Sequence, residues 1–245
     1  MKAVILAGGS GTRLGGLTNK LPKHLLEIEG KSLLERSLEN LQRRNISETI
    51  ILAGFKSEKI IEQLGYNYNG MLIKYVIDVS STATSFHASR GYVNNDTLLL
   101  CGDLIYEPNA INYLLEDESR DAMLVVPVSG AKNPAYVTVD DKLNLIDIPR
   151  GKENEPRAYG EVADIYKISR ETLDLLYQFI EENYLQVNQK GYIEDAILGL
   201  SRMTPVKCIK RDLLWLGVNT REDLERARNE IYPKIKEKIK FENCS

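Results

Sequence analysis

Between residues 7 and 23 the chain reads Ala7-Gly8-Gly9-Ser10-Gly11-Thr12-Arg13, and nine residues later Pro22-Lys23. Glycines let a backbone turn sharply and come close to a ligand. Successive N–H groups in such a turn form a hollow that accepts anions. The Arg13 guanidinium and the Lys23 ammonium add two positive charges at fixed distances from it. This is equipment for a triphosphate. Two familiar phosphate loops do not match: GxGxxG needs glycine where Leu14 stands, and the P-loop needs Lys-Ser/Thr where Leu17-Thr18 follow Gly16. On its own, the glycine stretch also fits a plain strand-to-turn junction with surface cations.

A second chemical position is Asp103, which follows the apolar run Thr97–Cys101 through Gly102. Magnesium takes a few oxygen ligands besides substrate phosphates, so one or two protein groups suffice. The same aspartate could instead cap the following turn. The segment Ser80-Ser81-Thr82-Ala83-Thr84-Ser85-Phe86 brings hydroxyls into the start of a helix, where they and the N–H groups can meet a base or a phosphate. His24 and His87 have no partner motif and read as structural.

The elements that must position these groups follow from periodicity. Val4, Ile5 and Leu6 make a strand buried on both faces, as do Glu48–Ala53 and Thr97–Cys101, with another strand at 72–77. Between them, 31–44, Ser57–Leu64 and 81–92 read as helices, and 25–28 as a brief strand. Such β-α alternation implies a parallel sheet with helices on both faces. Ligands then sit at the carboxyl ends of the strands, so the glycine loop and Asp103 should share one cleft. Later residues give short strands at 122–128, 135–139 and 143–148, a polar loop at 151–157, helices at 169–183 and 192–203, and a last strand at 215–218. Thr220 and Asp223 form a capping box for a C-terminal helix, whose mixed charges at 222–240 read as a solvated face. The expectation is an α/β, Rossmann-like three-layer fold with a mostly parallel mixed sheet, in one domain over 1–245. Residues 1–120 would be its nucleotide-binding half and 121–245 its acceptor-binding half.

The 245 residues suffice for one such domain, and a net charge of -3 argues against a nucleic-acid surface. Cys101, Cys208 and Cys244 are too scattered for a disulfide frame or a zinc site, so a reducing cytoplasm is expected. No apolar stretch approaches the ~20 residues that span a bilayer.

The whole string Gly8-Gly9-Ser10-Gly11-Thr12-Arg13-Leu14 with Pro22-Lys23 resembles the signature of the nucleotidyltransferases that make NDP-sugars and related activated alcohols. The resemblance implies magnesium on Asp103, and Leu6, Ala7, Gly8, Gly9, Gly11, Thr12 and Gly102 around the nucleotide. It implies catalytic roles for Arg13, on the leaving pyrophosphate, and for Lys23, between the α-phosphate and the acceptor phosphate. Trp215-Leu216-Gly217-Val218-Asn219 is similar to the family's second metal string, with Asn219 where many relatives have aspartate. The uridylyltransferases for N-acetylglucosamine 1-phosphate use a similar Gly-Val-Asn string. Thr84 and Ser85 resemble the corresponding helix of cytidylyltransferases for phosphocholine, inositol 1-phosphate and similar molecules, which implies CTP as donor. The segment 158–167 and the helix start at 191–195 would line the acceptor pocket through Tyr159, Glu161, Asp164, Glu194 and Asp195. That acidic edge suits an amine, an ammonium or a hydroxyl-rich group. Other readings stay open: a sugar-1-phosphate nucleotidyltransferase using UTP, dTTP or GTP, a metal-dependent glycosyltransferase, and a non-catalytic nucleotide sensor. The glycosyltransferase would show Asp-x-Asp where this chain has Asp103-Leu104-Ile105. Assembly into a homo-oligomer is left open.

Overall fold

The computed structural model describes residues 1–78, 80–129, 134–151 and 158–242. Its first strand β1 (Lys2–Ala7) shows why the sheet must be covered twice. Ala3, Ile5 and Ala7 enter one core, while Val4 and Leu6 enter another on the opposite face. The hairpin strands β2 (Glu27–Ile28) and β3 (Lys31–Ser32) lead into helix α1 (Leu33–Gln42), followed by β4 (Glu48–Ala53), α2 (Ser57–Leu64), β5 (Asn67–Tyr68), β6 (Met71–Ile77) and α3 (Thr82–Ala88). Next come β7 (Thr97–Cys101), β8 (Leu104–Tyr106), α4 (Asn109–Leu115), β9 (Ala122–Val126), β10 (Tyr136–Val139), β11 (Leu145–Asp147) and β12 (Gly160–Ile168). The chain ends with α5 (Arg170–Ile180), α6 (Ile193–Ser201), β13 (Lys207–Lys210), β14 (Trp215–Gly217), α7 (Arg221–Arg226) and α8 (Tyr232–Glu242).

The main sheet runs β11-β10-β12-β7-β1-β4-β6-β5, and β9 with β13 lies against the other edge of β12. Its central run β7-β1-β4-β6 is parallel, and the strands beyond are mostly antiparallel. Helices α1, α2 and α4 cover one face through Leu34, Leu38, Ile60 and Ile111. The other face is closed by α3, α5 and α6 through Phe86, Leu176, Tyr177 and Ile197. A smaller cluster of Leu14, Ile28, Ile105, Val218, Leu224 and Ile235 joins the C-terminal helices to the first loop.

The parallel register aligns Leu6 with both Leu52 and Cys101, so the loops after β1, β4 and β7 open along one sheet edge. Helix α1 is shorter than the 31–44 period implies because Ser32 starts it: its Oγ accepts the Glu35 N–H at 3.2 Å, and the Glu35 carboxylate accepts the Ser32 N–H at 2.8 Å. The segment 23–25 is a 3-10 turn, and only Glu27–Ile28 of the expected strand forms. The expected 81–92 helix contracts to α3, and 169–183 becomes α5 plus a π turn, Glu181–Leu185. Strands β3, β5, β8, β12 and β13 and helix α4 are additional to the sequence expectation. The loop expected at 151–157 lies, from 152 on, outside the described residues. Among the described residues, no helix is long and apolar enough to cross a membrane.

The most crowded point of this edge is Gly54, at the end of β4. A methyl group there would lie 2.6 Å from the Asp78 carbonyl oxygen and 2.7 Å from that of Gly8. The glycine loop and the chain after β6 therefore close onto a position that only hydrogen can fill. Gly54→Ala should cost about 2 kcal/mol or more of stability, as overpacking against backbone does. Urea unfolding of the variant checks this, and an unchanged midpoint would refute the packing argument.

Candidate active site

The glycine loop packs on the lysine that follows it. Gly11 has a left-handed backbone, φ +67°, and a Cβ there would stand 3.0 Å from the Lys23 Cβ. A Cβ on Gly9 would meet the Lys23 Cε at 3.2 Å. Both glycines thus let the aliphatic stem of Lys23 run beneath the loop. Its ammonium forms an ion pair with the Asp103 carboxylate and donates to the Asn219 Oδ1 at 3.3 Å. The same Oδ1 accepts from the Arg13 guanidinium at 3.0 Å. Four residues separated by up to 206 positions therefore meet at one oxygen-rich point.

Asn219 arrives there by a short ribbon. Strand β14 pairs antiparallel with β8, setting Gly217 opposite Leu104, and the Val218 N–H donates to the Asp103 carbonyl at 2.8 Å. Beyond Asn219 the chain is stopped by the capping box: the Asp223 N–H donates to the Thr220 Oγ1 at 3.1 Å, and the Asp223 carboxylate accepts from the Thr220 N–H at 2.8 Å and the Asn219 N–H at 3.1 Å. The Asn219 side chain is left to face the loop.

His24 sits behind this cluster. It is 1% exposed, and a Cβ on Gly102 would lie 3.2 Å from its ring, so the turn from Cys101 to Asp103 rests on the imidazole. Burial and the neighbouring Lys23 lower its pKa to about 3, against the opposing pull of Asp103. The ring is neutral at ordinary pH. Burial alone would raise the Asp103 carboxyl, yet the charge and hydrogen bond of Lys23 hold it below its usual value, so it stays ionised.

Lys23, His24 and Asp103 border a cavity of about 560 Å³, lined by Leu6, Gly8, Gly9 and Ser10 on one side and by Ser80, Ser81, Thr82 and Ser85 on another. Lys190, Gly191 and Tyr192 complete its rim. The structure therefore brings Leu6, Gly8, Gly9, Lys23, Ser85 and Asp103 to one cavity. Thr84 belongs elsewhere: its Oγ1 donates to the Ser80 Oγ at 2.8 Å and accepts the Ser81 N–H at 3.1 Å, and it lines the neighbouring cavity. Its hydroxyl closes the helix start, which corrects the expectation that Thr84 and Ser85 act together.

The five acidic-edge candidates are dispersed in the same way. Both Glu161 oxygens accept from Ser129, backbone and hydroxyl, at 2.8 Å, so this carboxylate holds the chain before residue 130. Tyr159 lies under Lys210, with the ammonium 5.1 Å from the ring centre. Asp195 pairs with Arg150 at 3.0 Å, and that guanidinium also covers the Tyr192 ring. Of these five, only Asp164 and Glu194 interact electrostatically with Asp103, and Glu194 also lies 3.8 Å from the Arg150 guanidinium. Asp164 occupies a bulge of β12 with φ +58°, and its carboxyl accepts from the Tyr166 hydroxyl at 3.3 Å. Burial, then Glu194 and Asp103, push the Asp164 carboxyl well up; burial chiefly raises Glu194 as well.

Arg150 and Lys190 are not singled out in the sequence; Gly54 reads only as the end of an apolar run, which is its signal, and Tyr192 only as part of the helix start at 191–195. Arg150 and Tyr192 meet across more than forty residues, a pairing with no local signal, and Lys190 had none either.

The residues present fit a magnesium ion. The Asp103 Oδ2 and the Asn219 Oδ1 both engage one ammonium nitrogen, so a carboxylate and an amide oxygen already converge on a cation. Among the described residues no group of three or more His, Cys, Asp or Glu could hold a metal, which leaves the remaining positions to substrate oxygens and water.

A layered α/β fold with a glycine loop, two cations and a carboxylate at the carboxyl edge of its parallel strands defines a nucleotide-handling class. The family model described as nucleotidyl transferase matches residues 2–231, and the chain belongs to that family. It is 28% identical to the bifunctional protein GlmU of Methanocaldococcus jannaschii over 98% of this chain, and spans 56% of that protein's length. Among solved structures, a putative glucose-1-phosphate thymidylyltransferase from Bacillus anthracis superposes with a TM-score of 0.80 at 20% identity, covering 93% of this chain and 94% of that one. The inositol-1-phosphate CTP transferase from T. maritima gives 0.77 at 21% identity, covering 96% of each chain. These two share the fold.

Two measurements test the cluster. Asp103→Asn should lower turnover by on the order of a hundredfold, the worth of one strong electrostatic contact at a transition state. The backbone hydrogen bond to Val218 stays, but Lys23 loses its charged partner, so the melting temperature should fall by several degrees while the protein still folds; near-normal turnover at saturating magnesium would remove Asp103 from the chemistry. For His24, the unfolded chain takes up a proton below the ordinary value of 6.5, while the folded chain does so only near 3. The contribution of His24 to stability is therefore whole above 6.5 and is lost progressively as pH falls towards 3. Between pH 8 and 5 wild type should lose about 2 kcal/mol more than His24→Gln. Parallel acid limbs in urea titrations would contradict this.

Proposed function

We propose that the chain catalyses magnesium-dependent nucleotidyl transfer from an NTP, preferably CTP, to a phosphorylated small molecule. The observation that carries the reading is the meeting of Arg13, Lys23, Asp103 and Asn219 beside the glycine loop. An acceptor phosphate oxygen attacks the α-phosphorus, the bond from that phosphorus to the bridging oxygen breaks, and pyrophosphate leaves. The substrate supplies the nucleophile, so the protein positions groups and balances charge. The backbone of Ala7, Gly8, Gly9, Gly11 and Thr12 would hold the triphosphate, with Gly102 keeping the strand end clear. Arg13 would balance charge on the departing pyrophosphate, and Lys23 would bridge the α-phosphate and the acceptor phosphate. Asp103 and Asn219 would hold magnesium, which when bound draws the phosphate oxygens together and makes the phosphorus more electrophilic.

In this reading residues 1–120 handle the donor, and 121–245 supply the acceptor side and the C-terminal helix. Asp164 and Glu194, whose carboxyls interact with Asp103, are the acidic groups of the second half that could meet a hydroxyl-bearing acceptor. CTP is preferred because Ser85 lines the cavity with its Oγ 3.4 Å from that of Ser80, leaving small hydroxyls at the base end. Cytosine pairs an amine with a carbonyl, and backbone groups from Leu6 to Gly9 can meet the amine. The likeness to GlmU over nearly the whole chain favours a second reading, a sugar-1-phosphate nucleotidyltransferase using UTP, dTTP or GTP. A non-catalytic sensor would have lost Arg13, Lys23 or Asp103.

Pyrophosphate release should be measured for four NTPs against choline phosphate, inositol 1-phosphate, glucose 1-phosphate and N-acetylglucosamine 1-phosphate. With the best acceptor, CTP should exceed UTP by on the order of a hundredfold in kcat/KM, since a mismatched base leaves buried polar groups unpaired. Ser85→Ala should lower kcat/KM for CTP more than kcat. Equal or better rates with another NTP would replace the cytidylyl reading by the second one.

A further inference from the structure

The cavity beside the glycine loop has three charged lining residues: Lys23, Asp103 and Lys190. Lys23 and Asp103 cancel each other in their ion pair, and His24 is neutral. The net positive charge of the lining is therefore that of Lys190. Among the described residues, none forms an ion pair or hydrogen bond with its ammonium, whereas Arg150, which covers the ring of the nearby Tyr192, is held by Asp195. Its root is fixed, however. The next residue, Gly191, donates its N–H to the Ser81 Oγ at 3.0 Å and accepts the Ala83 N–H at 3.1 Å, and the Ile193 N–H donates to the Thr82 Oγ1 at 2.9 Å. A Cβ on Gly191 would stand 2.7 Å from the Tyr184 ring, so the glycine lets this segment lie flat on its neighbour. Lys190 also lines the adjoining cavity of about 530 Å³, which holds Asp78, and so stands on the ridge between the two. A cation with a clamped backbone and a free tip has only side-chain entropy to lose on meeting a ligand.

We propose that Lys190 is a third phosphate-binding cation of the cleft, supplied by the second half of the chain. The proposal rests on the nucleotidyl-transfer reading, in which a triphosphate and an acceptor phosphate enter a cavity whose other two charges cancel. Either phosphate can be its target, and the experiment separates them. Wild type, Lys190→Gln and Lys190→Arg are compared for KM of each substrate in pyrophosphate release, for melting temperature, and for binding of magnesium–CTP alone by calorimetry. Lys190→Gln should raise one KM by about tenfold or more, the loss of a charge-assisted contact, with an unchanged melting temperature, and Lys190→Arg should keep most of the affinity. A rise for the NTP together with weaker magnesium–CTP binding assigns the triphosphate. A rise for the acceptor alone assigns the acceptor phosphate. Unchanged constants for both substrates in a folded Lys190→Gln protein overturn the proposal while leaving the nucleotidyl-transfer reading intact. A wild type that neither releases pyrophosphate nor binds magnesium–CTP overturns both.

Discussion

The ion pair between Lys23 and Asp103 is the contact on which the cleft depends. Both side chains are largely shielded, 13% and 12% exposed, so neither charge can stay ionised there alone without a large desolvation cost. Each requires the other, and the requirement fixes the glycine loop against the end of β7. Asn219 extends the constraint to the C-terminal segment, because one amide oxygen serves the guanidinium and the ammonium together. The site is thus drawn together by charge at its centre, on loops already brought near by the β8–β14 ribbon and the apolar cluster around Leu14 and Val218.

The sheet supplies the rigidity that such a cluster needs. Parallel pairing of β1 with β4 and β7 brings three strand ends to one level, and helices bury both faces. Strand β12 then enters antiparallel between β7 and β9, with a bulge at Asp164 that turns a polar side chain into an otherwise apolar layer. The neighbouring Cys101 thiol is raised by burial and by Asp164, Asp103 and Glu194, a further sign of how much acidic character this end of the cavity concentrates.

Strands β4 and β7 were legible to the residue, since ETIILA and TLLLC are unbroken apolar runs between polar turns. The glycine loop and the capping box at Thr220 were legible because local geometry alone requires those residues. Strand β12 was not, for Glu161, Asp164 and Lys167 interrupt its pattern, and each is explained only by a distant partner: Ser129, the bulge and Asp117. The carboxylates of 158–195 read as one acidic edge, yet pairing consumes Glu161 and Asp195. His24 reads as structural from its isolation. Its place directly behind Gly102 and beside Asp103 could not be seen, because forming the 3-10 turn Lys23–Leu25 is what sends the ring inward.

The ribbon of β8 and β14 has a consequence for how the molecule comes into being. Strands β1, β4, β6 and β7 lie within the first 101 residues and can pair while the remainder of the chain is still being made. Asn219, however, reaches Asp103 only through β14, whose residues 215–217 follow β7 by more than a hundred positions. During synthesis the nascent chain would hold its lysine–aspartate pair without the amide that shares it, so the nucleotide-facing half matures early and the complete cleft late. A ribosome-bound chain would therefore gain its full set of phosphate-facing groups only once residues 215–219 had emerged and β14 had paired with β8.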